Sequence, residues 1–387
     1  MTHRNPFQSV PVCLTIAFLL SLAAAPCTAG SGDVFIAPAG SISELSFAAF
    51  DGEYVAVARH TQQAIDVFTI DGEPFTSIPL AGNTSHATTL AVSNGSVYWY
   101  ETNDRHEYGD LYRYDIAAGT QSLLYRIDDA WGSRIVRIVA DCDHLAWDEG
   151  LNGGTLKVHT LSTGNTDVIL SNDQIYSLAI DGDRVLFGCK RTDGGTGREI
   201  HVYSIGAKED SVIPESRSEG TWGYGDISGD LAVWTRTDPE EEPFSVLSGA
   251  DVMLTDPASA STVPVYHLDT IADACISDGT IVWVERESNA DMNGTLCAYD
   301  IDTGVSRPLI TGVYGLYDIR EGYVLWSSKT PYAYQVTQIA PDAPAATTPA
   351  QPETAGTPPR STPLTPGTAL LALLAAALGL AVRRRRR

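Results

Sequence analysis

The feature that most constrains this chain is a phrase that recurs seven times. FDGEYVAV, SNGSVYW, DCDHLAW, DGDRVLF, SGDLAVW, SDGTIVW and REGYVLW each lead from a tight-turn cluster into an apolar strand. Their last residues are Val57, Trp99, Trp147, Phe187, Trp234, Trp283 and Trp326, spaced by 42, 48, 40, 47, 49 and 43 residues. A supersecondary unit of this length cannot bury its apolar face alone and must stack on copies of itself.

Each unit divides into four strands. In the sixth these are ADACIS, TIVWVE, GTLCAYDID and SRPLIT, with Asp278-Gly279 as the hairpin turn between the first two. TIVWVE places Ile281 and Trp283 on one face and Val282 and Val284 on the other, as a sheet covered on both sides requires. Helix signals are scarce, while Val, Ile, Thr, Tyr and Trp recur in short runs between turn residues. The expectation is an all-β chain: a seven-bladed β-propeller of four-stranded antiparallel blades over residues 30–341. A β-sandwich does not explain the seven-fold period. The seventh unit (GLYDIRE, YVLWSS, AYQVTQI) lacks a fourth strand, and DVFIAPAG at 33–40 matches the strand phrase RPLITG. The N-terminal strand is therefore expected to close the last blade and leave few open edges. SGDLAVWTRTD, DLYRYDIAAG and LCAYDIDTG resemble the WD-like, TolB-type propeller units of secreted and archaeal surface proteins. That resemblance spans 30–341 and implies a fold more than a function.

The two ends read as address and anchor. Residues 1–29 have a weakly basic start, an apolar run from Val10 to Ala25 and small residues up to Ala29, the pattern of a signal peptide. Residues 342–366 hold seven prolines and six threonines and suit an extended stalk. At ~3.1 Å per residue such a stalk reaches about 75 Å. Residues 367–387 are a short apolar segment followed by five arginines. This tail resembles the PGF-CTERM class of archaeal surface-sorting signals, with Thr368 where that class has Phe. The resemblance implies a cell-surface protein held by the segment itself or by a processed lipid anchor.

Seven of the 25 basic and two of the 48 acidic residues lie outside 30–341, which leaves 18 against 46 and a net charge of −28. Nucleic acid and anionic lipid are poor partners for such a surface. Membrane contact is expected through the tail only.

No HExxH, GxSxG, Walker, GxGxxG or CxxC motif occurs. The leading expectation is a non-enzymatic binding module for an envelope protein or glycan. A glycan-active lyase or hydrolase at the channel mouth and a structural envelope component are the alternatives. Loops between second and third strands are long and charged (101–110, 148–154, 190–199, 236–251, 285–294). Trp131, Tyr176, Trp222, Tyr224, Tyr314 and Tyr317 fall in the segments entering each unit, on the same face. Flat rings beside carboxylates suit sugar recognition, so these six are the candidate ligand-binding residues. Asn83, Asn94 and Asn293 head glycosylation sequons. Asn289-Ala-Asp291-Met-Asn293-Gly294, with Asp300 twelfth, matches the start of a calcium loop. Asn in first place and Asp in twelfth weaken it; an Asn-Gly hairpin is favoured and no cofactor is expected. Cys142, Cys189, Cys275 and Cys297 are expected to be buried free thiols, Cys275 and Cys297 lying on the first and third strands of one sheet.

Overall fold

The computed structural model describes residues 33–339 except 39–45, 60–62, 82–84, 104–107, 129–133, 151–153, 196, 218–220, 238–248, 271–272, 287–292 and 330–331. The leader, stalk and tail lie outside the described residues, as do Trp131, Asn83, Asn289 and Asp291.

The N-terminal strand β1 (Asp33–Pro38) precedes a sheet of β2 (Ser46–Phe50), β3 (Tyr54–Arg59), β4 (Ala64–Thr69) and β5 (Pro74–Pro79). The second sheet is β6 (Ser85–Ser93), β7 (Ser96–Asn103), β8 (Gly109–Asp115) and β9 (Thr120–Ile127). The third is β10 (Ile135–Asp141), β11 (His144–Glu149), β12 (Gly154–Thr160) and β13 (Asn165–Asp173). The fourth is β14 (Ser177–Asp181), β15 (Arg184–Lys190), β16 (Arg198–Ser204) and β17 (Glu209–Val212), followed by a 3-10 turn at Pro214–Ser216. The fifth is β18 (Thr221–Ser228), β19 (Leu231–Thr237), β20 (Ala250–Asp256) and β21 (Ser261–Leu268). β22 (Ala274–Ser277), β23 (Thr280–Glu285), β24 (Gly294–Asp300), β25 (Val305–Arg320), β26 (Tyr323–Lys329) and β27 (Tyr332–Gln338) join β1 in one seven-stranded sheet.

That last sheet differs from the two separate units expected. Strand β25 pairs with β24 up to Val313 and with β26 from Val313 onward, its register shifting after Val313 and again after Leu316. The outer strand of the sixth unit thus continues into the inner strand of the seventh. No proline or turn pair interrupts residues 309–320, and Gly312 (φ +82°) lets the strand bend without ending. Because of this, Tyr314 and Tyr317 lie within β25; Trp222 and Tyr224 likewise lie within a strand, β18, where the sequence suggested connecting segments.

The repeated aromatic, replaced by the buried Val57 in the first unit, is central to the core of the units. Trp99, Trp147, Phe187, Trp234, Trp283 and Trp326 are all buried. Each packs on a neighbouring sheet: Trp99 against Ala56 and Val67, Trp147 against Tyr98 and Leu111, Phe187 against Ala146 and Leu156, Trp283 against Val233 and Val252. Fully burying a large apolar side chain is worth about 1.5–3 kcal/mol. The indole N–H groups of Trp234 and Trp326 donate to Thr255 and Thr337 at 2.9 Å, and that of Trp99 to Glu101 at 3.3 Å.

A second repeated position lies six residues before the aromatic. Asp51 accepts the Gly95 N–H of the next sheet, Ser93 that of Cys142, Asp141 that of Gly182, Asp181 that of Gly229 and Ser228 that of Asp278. The first turn of each sheet is thereby tied to the first turn of the next, and five junctions use the same device.

Inner strands lie side by side around a channel: β2 on β6, then β10, β14, β18, β22 and β25, with β25 back against β2. β1 pairs antiparallel with β27, from Asp33 opposite Thr337 to Pro38 opposite Ala333. Ile36 of β1 packs with Phe50, Val55 and Val57 of the first sheet and with Leu325, Tyr334 and Val336 of the last. The N-terminal strand therefore completes the last sheet, as its phrase predicts.

Candidate functional site

The alternation of each inner strand sends one set of side chains into the channel. Residues eight before the repeated aromatic occupy that set: Ala49, Ala91, Val139, Ala179, Asp226, Cys275 and Asp318. Five of these line a cavity of about 240 Å³, together with Arg137, Tyr176, Asp273, Tyr317 and Arg320. Small apolar residues suffice elsewhere in the ring. Here two of the seven positions are carboxylates.

Asp226 is buried, with Oδ1 accepting the Ile227 N–H and Oδ2 the Ile276 N–H, both at 2.8 Å. Burial, with the Asp318 charge adding to it, pushes its carboxyl up to about 7 against the pull of Arg320. Asp318 has the parallel arrangement: Oδ1 accepts the Ile319 N–H at 2.8 Å and Oδ2 the Arg320 Nε–H at 3.1 Å. Gly225, beside Asp226, must lack a side chain, since a Cβ would stand 2.9 Å from the Val233 carbonyl oxygen.

Asp273 stands at the entrance to β22, ringed by protein but with its side chain open to channel water. Crowding raises its carboxyl, while Arg286 and Arg137 pull it down, and the water it faces softens the upward push. The Cys275 thiol is held well above its ordinary value by burial and by Asp226 and Asp318, so it is a poor nucleophile. Arg137 sits at a bulge in β10. Its N–H donates to Asp148 Oδ1 at 2.7 Å, and its guanidinium to Asp148 Oδ2 and the Ile175 carbonyl at 3.0 Å each. Bulges of this kind re-aim side chains, here turning Arg137 toward the cavity.

Of the six aromatic candidates, Tyr176 and Tyr317 are brought together in this cavity wall. The Tyr176 ring is covered by Arg198 at 3.6 Å, and its hydroxyl donates to Gln174 at 3.1 Å. Tyr317 packs edge-on to Tyr334, and its hydroxyl donates to Ser327 at 3.4 Å. Tyr314 lies away from the cavity wall, edge-on to Tyr332, with its carbonyl accepting Arg286. A second cavity of about 380 Å³ opens among Tyr266, Trp283, Glu285, Cys297 and Arg307, near the outer strands.

Asn94 is exposed in the β6–β7 turn at φ +49°, and Asn293 is exposed just before β24. The calcium pattern does not form a loop, because 294–300 is strand β24. Asp300 stands at the far end of that strand from Asn293, roughly 20 Å away, where it caps the Thr303 N–H and hydroxyl. All four described cysteines are free. Cys189 and Cys297 are buried, but Cys275 is only half-buried because it lines the cavity, and Cys142 is exposed because it occupies a turn position at φ +49°, both against expectation.

No known family model matches the chain, and no curated protein matches it by sequence. Solved structures do match. An oligogalacturonate lyase in complex with manganese is 13% identical, covering 75% of this chain and 86% of its own, with a TM-score of 0.54. The β-propeller domain of the Trilobed protease from Pyrococcus furiosus is 13% identical, covering 77% and 98%, also at 0.54. TolB from Acinetobacter baumannii matches at 15% identity over 70% and 65% with a TM-score of 0.43, too low to carry argument. At such identities the likeness is one of fold. The chain has a β-propeller fold.

Proposed function

We propose that this chain is a non-enzymatic binding module, a seven-bladed propeller exported to the cell surface and held there by its C-terminal segment. In this reading the seven-stranded sheet acts as two blades sharing β25, and the contact of β25 with β2 supports the closed ring. The observation that carries the binding role is the channel cavity, where Asp226, Asp273, Asp318, Arg137 and Arg320 converge with Tyr176 and Tyr317. Concave sites with a few convergent polar groups and shifted carboxyls are where ligands bind. The partner is an envelope glycan or protein presenting hydroxyl or cationic groups to the mouth, held further by the charged loops around it.

Cross-linking on intact cells, followed by affinity capture and mass spectrometry, tests this. The expected result is a reproducible glycan or protein partner, with links in 101–110, 190–199 or 236–251. Surface display without any specific partner overturns it.

One observation favours a second reading, the glycan-active lyase or hydrolase. Asp226 is shifted toward neutrality while Asp318 is paired with Arg320, and two carboxyl groups in unlike environments are the usual basis for acid and base roles. Release of unsaturated or reducing ends from an envelope polysaccharide, abolished by Asp226→Asn, is the outcome that would favour it.

A further inference from the structure

We propose that Cys189, Glu199 and His201 form a binding site for a divalent transition metal of the zinc class, separate from the channel cavity. Their Sγ, carboxylate and ring-nitrogen atoms all lie within 4.8 Å of one another, and all three residues are buried. The hairpin of β15 and β16 makes the cluster. Cys189 stands directly opposite Glu199, and His201, two residues on, shares their face. Tetrahedral zinc at about 2.0–2.3 Å from S, N and O donors sets those donors roughly 3.3–3.8 Å apart. Small side-chain adjustments reach that spacing.

The independent sign is what holds the histidine. His201 Nδ1 lies 2.8 Å from Asp210 of β17, and Phe187 stacks on the ring at 4.8 Å and 14°. A carboxylate on one ring nitrogen fixes the tautomer and aims the other at a metal. Here that other nitrogen, Nε2, points to Glu199 Oε1 at 3.1 Å. Thiolate, imidazole and carboxylate together suit zinc-like ions and not calcium or magnesium. Three protein donors leave a fourth position for water.

The cluster also anchors the loop above it. Glu199 Oε1 accepts the Thr192 N–H and hydroxyl at 2.7 and 2.6 Å, and Oε2 accepts Arg217 Nε–H at 2.8 Å. Arg198, the preceding residue, covers Tyr176 in the channel wall, so the site stands one residue from the cavity rim.

Without metal, the Cys189 S–H donates to the Lys190 carbonyl at 3.2 Å. Burial drives that thiol up. Coordination breaks the Cys189 S–H bond, forms bonds from the metal to Sγ, to the Nε2 lone pair and to a Glu199 oxygen, keeps the Nδ1–H on Asp210, and releases the thiol proton to solvent. Binding therefore strengthens as pH rises.

The test is a cobalt(II) titration of the full chain, followed by the thiolate-to-cobalt charge-transfer absorption and by its displacement with zinc. One equivalent is expected, with higher affinity at pH 8 than at pH 6. Cys189→Ala abolishes the band. Asp210→Asn, which leaves all three donors in place, weakens binding about 10–100-fold. Near-ultraviolet circular dichroism of the metal-free variants confirms that each is folded. Absence of the band in folded wild type, or its survival in Cys189→Ala, overturns the assignment.

Discussion

The packing of the N-terminal strand between the first and last sheets makes a sharp prediction, because neighbouring residues of β1 have opposite fates. Ile36 is 3% exposed and packs between the first and last sheets, whereas Phe35 is 54% exposed. Truncating a buried isoleucine to alanine costs about 2–5 kcal/mol through lost transfer energy and the cavity left behind. Ile36 belongs in the upper half of that range, since its neighbours come from two sheets and a void there cannot collapse without parting them. Truncating an exposed residue such as Phe35 changes stability by no more than about 0.5 kcal/mol. Asp33 adds a further link: Thr337 takes the Trp326 indole N–H and donates its own hydroxyl to Asp33 at 2.6 Å. Urea unfolding of the full chain, followed by tryptophan fluorescence, measures both substitutions. The expected result is a large fall in midpoint for Ile36→Ala at unchanged m, and almost none for Phe35→Ala. Equal losses from the two would mean that β1 has no fixed register. A neutral Ile36→Ala would refute closure by this strand.

Other outcomes follow from the same geometry. Because the Asp226 pKa is raised in the folded state, its contribution to stability is fully present below the unfolded carboxylate value of about 4 and is lost as pH rises to about 7. Asp226→Asn should flatten the slope of melting temperature against pH in that window; an unchanged slope would count against the shift. Asp141→Ala removes the charged acceptor of the Gly182 N–H, a bond worth about 1.5–3 kcal/mol, and the loss is read by urea midpoint. Trp234→Phe breaks a bond to Thr255, whereas the Trp283 indole N–H is buried with no hydrogen-bond partner among the described residues. Trp234→Phe should therefore cost about 1–2 kcal/mol more than Trp283→Phe, and equal costs in denaturation would contradict this.

The fold was legible because the repeat states the same physics each time. A turn pair, a strand apolar on both faces and one large aromatic describe a sheet wedged between sheets, and the buried Trp99, Trp147, Trp234 and Trp283 bear that out. Two features were hidden in the same phrases. Asp51, Asp141 and Asp181 look like ordinary turn residues, and only the stacking of sheets shows their side chains reaching the next turn. The break expected between the sixth and seventh units is absent because glycine bends β25 instead of ending it. The channel carboxylates are scattered through the sequence, since Asp226 and Asp318 come from β18 and β25 and Asp273 from the entrance to β22. A signal for two of them was present: aligning the repeats on the aromatic puts Asp226 and Asp318 where other units have Ala, Val or Cys. The metal cluster follows no motif spacing, because the β15–β16 hairpin and not a short sequence interval brings Cys189 to Glu199.

The most direct test of the binding role is the affinity of the captured partner for the full chain and for two isosteric variants. Asp273→Asn removes a charge at the channel mouth, and Asp302→Asn removes one at the exposed β24–β25 turn on the opposite end of the strands. Isothermal titration should show Asp273→Asn binding at least about tenfold more weakly, roughly the 1.4 kcal/mol of one charged contact, with Asp302→Asn indistinguishable from wild type. Full affinity in Asp273→Asn, or an equal loss in both variants, would place the ligand elsewhere and contradict the reading of the channel as the binding site.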